Sequence, residues 1–208
     1  MPPSKPILAA WLNQNNVGRA ALALWFVVTL VALASLMLNH VVAMPKPDDP
    51  ARLRKSISAL RESHDRPFLL HVIYRDCSCT NNLFSHLIAR KPFDQAEEKI
   101  LFVGADAKKQ LAAQQAGFGF KVVAASYLRE EFGIEAAPLL LVSDPDGQMR
   151  YIGGYYNHPA AIHSMDEQIY FALQAGKPVE SLPLFGCAVS DRLQAAVDPF
   201  GLVYPAAN

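Results

Sequence analysis

The sequence predicts an α/β fold, with a mixed sheet and helices on both faces, preceded by one N-terminal transmembrane helix. Three observations carry this prediction: an uncharged apolar run near the N-terminus, an alternation of strand and helix patterns from Pro67 onward, and a β-hairpin followed by a last helix. Strand–helix–strand units build the parallel part of a sheet, and a hairpin adds an antiparallel part. The roughly 140 residues involved are enough for one core.

Composition and charge exclude several classes of protein. The 208 residues include 19 basic and 19 acidic side chains, so the formal net charge is zero. A nucleic-acid partner is not expected, because phosphate binding needs an excess of Lys and Arg on one surface. The chain has only three cysteines, which argues against a disulfide-stapled miniprotein. The odd number leaves at least one thiol free or paired with another molecule.

The apolar run extends from Ala20 to Leu38, with no charged residue and only Thr29 and Ser35 as polar groups. As a helix it would be about 28 Å long, close to the ~30 Å hydrocarbon core of a bilayer. A cleaved signal peptide is the alternative, but its apolar region is usually only about 7–15 residues long. Positive charges lie on both sides of the run, so their distribution does not indicate which end of the helix faces the cytoplasm. A short leader before the span favours a single-pass anchor in a cell inner membrane, with the C-terminal domain in the periplasm or another extracytoplasmic space.

The pattern divides the chain into five segments. These are an N-terminal tail (1–19), the transmembrane helix (20–39), a Pro-rich linker (40–50), an α/β domain (51–178) and a C-terminal tail that packs on the domain (179–208). Pro-rich linkers are semi-rigid spacers. At the start of the domain, Asp49 is placed to cap a short helix with Pro50 in its first turn.

Inside the domain, strands and helices follow each other in order. The apolar run Phe68–Tyr74 predicts a buried central strand, whose His71 we expect to be a core histidine with a satisfied hydrogen bond. Further strands are predicted at 99–106 and within 120–125. Helices are predicted before Pro92, before Gly117 and before Gly133.

The last third of the domain is predicted to form a hairpin and a helix. Two strands within 138–156 flank a tight turn at 144–147, whose sequence is Asp-Pro-Asp-Gly. The final helix has apolar residues at helical spacing and is stopped by Gly176. Ser164 and Glu167 are spaced as a capping box at its start.

Two cysteines, Cys77 and Cys79, lie in the stretch "YRDCSCTNN" between the first strand and the first helix of the sheet. A helix N-terminus stabilises thiolate, so we expect the pKa of a cysteine there to lie below its ordinary value of ~8.5. Because Cys77 follows the strand directly, we expect it to be the more exposed of the two and the attacking thiol. Cys79 would then resolve the mixed disulfide.

From Pro67 to about Gly176, the order of elements resembles the thioredoxin-like superfamily. The resemblance is carried by the cysteine motif after a buried strand, by the stretch "YLREEFGIEAAPLLLVSDPDG", and by the hairpin with its final helix. It is greatest to membrane-anchored thiol-disulfide proteins that face the periplasm. The resemblance implies a thioredoxin-like mixed sheet. It also implies a cis bond at Pro138, and a substrate peptide that meets the backbone of Ala137.

The cysteine spacing departs from that family. Thioredoxins place two residues between their cysteines, whereas this chain has Thr80 where the second would stand. A disulfide closed across one residue is expected to be strained and easily reduced. We therefore expect an oxidising or isomerising protein rather than a strong reductant.

Three functions stay open at this stage. The first is thiol-disulfide exchange through the Cys-x-Cys motif, without a cofactor, acting on protein thiols or disulfides. The second is Cu(I) binding or delivery, with Cys77, Cys79 and His158 as ligands, since soft ions prefer thiolates. The third is a non-catalytic binding module that keeps the fold. Cys187, in the C-terminal tail, is a possible resolving thiol, a further soft ligand or an inert buried cysteine.

Overall fold

The computed structural model describes residues 14–39 and 43–204. The chain forms two compact units, one up to residue 42 and one from Ala43 onward. The first contains helix α1 (Gln14–Asn39), whose segment Asn16–Ala34 has a mean hydropathy of 2.1 and is not buried within the structure. By its length and apolar composition this helix could cross a membrane or serve as a signal sequence. The predicted tail before residue 14, residues 40–42 of the linker and the chain end after residue 204 lie outside the described residues.

The second unit is built on a five-stranded mixed sheet of β1 (Phe68–Tyr74), β2 (Glu97–Val103), β3 (Gly119–Val123), β5 (Leu139–Ser143) and β6 (Met149–Gly153). The strands lie in the order β3-β2-β1-β5-β6. Strands β1, β2 and β3 are parallel, β5 is antiparallel to β1, and β6 is antiparallel to β5. The predicted mixed sheet and hairpin are therefore confirmed. A short strand β4 (Ala136–Ala137) precedes β5.

Helices cover both faces of this sheet. Asp49 caps the first of them by accepting a hydrogen bond from the Arg52 N–H at 3.0 Å, and Gly117 and Gly133 end two others in the left-handed conformation, as expected. The helices are α2 (Pro50–Ser58), α3 (Thr80–Arg90), α4 (Ala107–Ala116), α5 (Ala125–Phe132), α6 (Asp166–Gln174) and α7 (Asp191–Val197).

Two apolar cores lie on the two faces of the sheet. Alternate residues of β1 enter different cores because a strand points successive side chains in opposite directions. Phe68, Leu70 and Val72 pack with α2 and α5, whereas Leu69 and Ile73 pack with α3, α4 and α6. The cysteine motif follows directly after this central strand.

The start of α6 differs from the prediction. Helix α6 begins at Asp166, so Met165 and not Ser164 is its cap residue, and Met165 makes no capping bond through its side chain. The Ser164 hydroxyl donates instead to the Asp166 carboxylate at 2.6 Å. The predicted capping box is therefore wrong. Its serine is used to hold an acidic side chain that belongs to a buried ionic network.

The C-terminal tail lies against the domain. A short strand β7 (Cys187–Ala188) pairs antiparallel with β4. Upstream, Leu184 forms a β-bridge with Met44 and is fully buried in the core that α2 and α5 share. Val189, directly after β7, is buried in the same core. The tail therefore contributes side chains to the domain interior and carries Cys187 to a fixed position.

Candidate functional site

The cysteine motif forms a tight turn between β1 and α3. The Cys77 N–H donates to the carbonyl of Tyr74 at 3.2 Å, and the Thr80 N–H donates to the carbonyl of Cys77 at 3.0 Å. The Thr80 hydroxyl also donates to the Tyr74 carbonyl. Cys79 is the residue that precedes α3, which begins at Thr80. The turn thus fixes both cysteines beside the end of the central strand.

Three cysteine sulfurs meet at this turn. Cys77 forms a disulfide with Cys187, which is 110 residues away in the sequence, and their Cα atoms are 5.7 Å apart. Cys79 keeps a free thiol, and its sulfur lies 2.8 Å from that of Cys77. Because Cys77 has no proton in the disulfide, Cys79 is the donor in this contact. The structure therefore closes the bridge between the motif and the tail, and not within the Cys-x-Cys motif.

The pairing follows from where the tail strand lies. In the β4–β7 register, Ala137 stands opposite Cys187 and Ala136 opposite Ala188. The Ala137–Pro138 peptide bond is cis. The structure thus brings five residues from the sequence analysis to one place: Cys77, Cys79, Cys187, Ala137 and Pro138.

The exposure of the two motif cysteines is the reverse of the expectation. Cys77 is buried, with 5% of its surface exposed, while Cys79 is half-buried. The expectation that Cys77 is the more exposed is wrong for this disulfide-bonded form, because the tail covers its sulfur. The expected low pKa is also wrong for Cys79. Burial raises the pKa of the Cys79 thiol to about 11, which outweighs the backbone hydrogen bond that acts to lower it.

The candidate copper ligands are not assembled. His158 is exposed in the loop that follows β6. Within residues 14–39 and 43–204, no group of three or more His, Cys, Asp or Glu side chains is arranged to hold a metal ion. The set of Cys77, Cys79 and His158 therefore does not form a site in this disulfide-bonded structure.

A buried ionic network lies in the core that β1 shares with α3 and α6. His71, the expected core histidine, is fully buried and bonds Tyr155 Oη and Glu98 Oε2, each at 2.8 Å. Arg90 forms two bonds to the Glu98 carboxylate, at 2.7 and 3.1 Å, and one to Asp166 at 2.7 Å. The charges are therefore mutually compensated inside the protein.

Hydrogen bonds set the ionisation of these carboxylates. Burial acts to raise the pKa of Glu98, but bonds from His71 and Arg90 bring it below its ordinary value. Burial opposes ionisation of Asp166 as well, yet the bond from His86 and the charge of Arg90 hold its pKa well below the usual range. The bond to Asp166, 2.8 Å long, raises the pKa of His86 in turn.

The network extends toward the cysteines through two tyrosines. Tyr155 is fully buried, and its ring centroid is 6.4 Å from that of Tyr156. Burial raises the pKa of Tyr156, and the proximity of Cys79 and Asp166 adds to the shift. Sequence reasoning missed this network. The sequence offers no clear signal, because Glu98 lies between Glu97 and Lys99 in the charged first half of β2.

No protein-family model matches the sequence, and no curated protein is detectably similar to it. Among solved structures, the chain is similar to a hypothetical protein of Sinorhizobium meliloti 1021, with 15% identity, a TM-score of 0.50 and coverage of 72% of this chain and 94% of that one. It is also similar to a thioredoxin-like protein in the oxidised form, with 17% identity, a TM-score of 0.46 and coverage of 66% of this chain and 98% of that one. A third similar structure is that of a secreted Mycobacterium tuberculosis disulfide oxidoreductase homologous to E. coli DsbE. It has 16% identity, a TM-score of 0.38 and coverage of 65% of this chain and 97% of that one.

At these identities the likeness extends to the fold alone. The parallel β1–β2 unit, the antiparallel β5–β6 hairpin with its following helix, and the cysteine motif after β1 repeat the order of elements described for the resemblance. The bonded pair and the adjacent free thiol fit thiol-disulfide chemistry in general. The order of its elements gives the chain a thioredoxin-like fold.

Proposed function

We propose that this protein is a membrane-anchored thiol-disulfide exchange protein that acts on the cysteines of other proteins in an extracytoplasmic space. The observation that carries the proposal is the meeting of three sulfurs beside Ala137, with one disulfide and one free thiol in contact. A thiol next to a disulfide sulfur is the arrangement from which exchange starts. The apolar helix α1 supports an anchor, and a closed disulfide is typical of an oxidising compartment.

Exchange inside the chain needs no external oxidant. The thiolate of Cys79 attacks the sulfur of Cys77, so the Cys77–Cys79 bond forms and the Cys77–Cys187 bond breaks. Cys187 leaves as a thiolate and takes up the proton that Cys79 lost. The number of disulfides is unchanged. The raised pKa of Cys79 makes its thiolate scarce near neutral pH, so this step is slow until a base or a local rearrangement assists it.

Exchange with a substrate uses the same central sulfur. A thiolate of a substrate dithiol attacks Cys77, which forms a mixed disulfide and releases the partner thiol within this chain. The second substrate thiolate then attacks the substrate sulfur of that mixed disulfide and releases Cys77. The substrate is oxidised by two electrons and this protein is reduced by two. In the reverse direction Cys77 attacks a substrate disulfide, and Cys79 or Cys187 resolves the intermediate.

The test is redox equilibration of the full chain in detergent. Samples are held in glutathione buffers of increasing reduction, free thiols are trapped with an alkylating tag, and the pairs are mapped by mass spectrometry. We expect a reversible couple centred on Cys77, and loss of turnover on a disulfide substrate in Cys77→Ser. Ser78→Ala, which changes an exposed neighbour without a thiol, is the matched control. Full activity in Cys77→Ser would refute the proposal.

The same variants decide between the two alternatives. A copper-binding protein would take up Cu(I) in stoichiometric amount when reduced and lose it in Cys77→Ser or Cys79→Ser. A non-catalytic binding module would show no redox turnover, and partner binding indifferent to both changes. Either result would favour the corresponding alternative over thiol-disulfide exchange.

A further inference from the structure

The tail strand covers the backbone of β4 at the candidate site. Besides the two paired positions of β4 and β7, the Val189 N–H donates to the carbonyl of Glu135 at 2.7 Å. The same strand delivers Cys187 to Cys77. A chain segment in extended conformation therefore lies along β4 with its cysteine sulfur joined to the candidate nucleophile. This is the arrangement that a covalently bound substrate peptide would need.

The residue before the cysteine fits only as glycine. A Cβ built on Gly186 would lie 2.1 Å from the Ala137 carbonyl oxygen and 2.6 Å from Pro138 Cδ. One neighbour is a backbone atom of Ala137 and the other a ring atom of Pro138, so neither moves away easily. A peptide with any side chain at this position is excluded from the same approach.

Burial also restricts which side chains fit at the other positions around the cysteine. Leu184, Ala188 and Val189 have at most 2% of their surface exposed, and Leu184 and Val189 pack in the core that includes Ala137. A peptide that replaced this segment would need a large apolar residue three positions before its cysteine. It would need a small residue directly after the cysteine and an apolar one next.

The attachment of the tail is weaker beyond this segment. The β4–β7 pairing spans only two residues in each strand. Helix α7, which follows, has no buried residue, and Phe200 and Leu202 after it are more than 80% exposed. Few buried contacts therefore hold the chain beyond Ser190, whereas release of the segment 184–189 after the disulfide opens must also expose Leu184 and Val189.

We propose that residues Leu184 to Val189 are a built-in copy of the substrate, and that β4 selects extended peptides with glycine directly before the reactive cysteine. The tail strand and the substrate compete for β4, so the tail also protects Cys77. This inference rests on the proposed function. In the covalent step the thiolate of Cys77 attacks the peptide cysteine sulfur of a disulfide. A Cys77–peptide disulfide forms, the original disulfide breaks, and its other sulfur leaves as a thiolate.

The test compares two peptides on the full-length Cys187→Ser variant, reduced and in detergent. One peptide copies residues 184–190, and the other has alanine in place of its glycine. Each carries its cysteine as a mixed disulfide with thionitrobenzoate, whose release is followed by absorbance. We expect the glycine peptide to react at least about tenfold faster, since one extra carbon in a closed site discriminates by that order. Equal rates would overturn the proposed selection.

A second measurement separates failure of the inference from failure of the function. The free aromatic disulfide of thionitrobenzoate needs no strand pairing. If Cys77 reacts with it but does not distinguish the peptides, only the inference fails. If Cys77 reacts with neither the reagent nor the peptides, the proposed exchange function fails.

A separate variant tests whether the tail strand protects Cys77 by occupying β4. Gly186→Ala, placed in the Cys187→Ser chain, forces the tail strand away from Ala137 and is expected to speed reaction of Cys77 with the free reagent. Gly176→Ala is the control, because a Cβ there meets no atom within 4 Å although its φ is +69°. An unchanged rate in the Gly186 variant would show that the tail does not guard Cys77. If that variant does not fold, the peptide comparison decides alone.

Discussion

The sulfur of Cys79 lies 2.8 Å from the sulfur of Cys77, which is itself bonded to Cys187. Two neighbouring cysteines therefore have different chemical states in one structure. One is a buried disulfide sulfur, and the other is a half-buried thiol whose pKa is raised to about 11. In the proposed exchange within the chain, Cys79 is therefore the attacking thiol and Cys77 the sulfur that is attacked.

The reactivity of Cys79 should depend steeply on pH. While the Cys77–Cys187 bond is closed, only the thiolate of Cys79 reacts with iodoacetamide, and below its pKa that fraction grows about tenfold per pH unit. We expect the alkylation rate to rise throughout the range below a pKa of about 11. The urea-unfolded chain serves as the control and should level off near the free value of ~8.5. A plateau at that lower pH in the folded protein would contradict the burial argument.

Loss of the tail disulfide should lower stability. Cys77 and Cys187 close a loop with a sequence separation of 110, and cross-links of long loops restrict the unfolded chain most. We expect Cys187→Ser to reduce the free energy of unfolding by about 2–4 kcal/mol relative to the oxidised protein. Denaturant unfolding measures it. Cys79→Ser removes a thiol but no cross-link, and a loss as large as that of Cys187→Ser would speak against the assigned pairing.

Removal of Arg90 should cost far more than removal of a surface arginine. Arg90→Met leaves the carboxylates of Glu98 and Asp166 buried without their cation. We expect a loss of about 3–5 kcal/mol, the usual cost of breaking a buried ion pair on one side. The control is Arg192→Met, which breaks the pair between the exposed Arg192 side chain and Glu135 and should cost much less, because water screens the charge of Arg192. Similar losses in both variants would show that the network does not stabilise the core.

Stability should fall with rising pH because of His86. The bond to Asp166 raises its pKa in the folded state above the ordinary value of ~6.5. The favourable contribution is thus complete below about pH 6.5 and is lost as the pH rises through the folded pKa. Urea unfolding at a series of pH values should show this slope in the parent protein and not in His86→Gln. His158→Gln, at an exposed histidine, should keep the slope; a slope that persists in His86→Gln would assign it elsewhere.

Local patterns predicted the fold well. The central strand Phe68–Tyr74, the Asp49 cap and the stops at Gly117 and Gly133 all depend on residues close in sequence, and each is present in the structure. The capping box at Ser164 is the local prediction that failed. Ser164 bonds Asp166, whose partners His86 and Arg90 come from another helix. The serine therefore takes part in contacts between residues distant in sequence, and it does not cap its own helix.

By itself, the sequence determined the apolar N-terminal helix, the order of strands and helices, and the position of a cysteine pair at the start of a helix. Periodicity and turn chemistry act over a few residues, which is why a pattern reveals them. Only the tertiary structure decided that Cys77 pairs with Cys187, that Cys79 is a thiol of high pKa, and that Glu98 and Asp166 share Arg90. These features depend on burial and on contacts between residues far apart in the chain. The packing of the tail against Ala137 creates the cysteine arrangement.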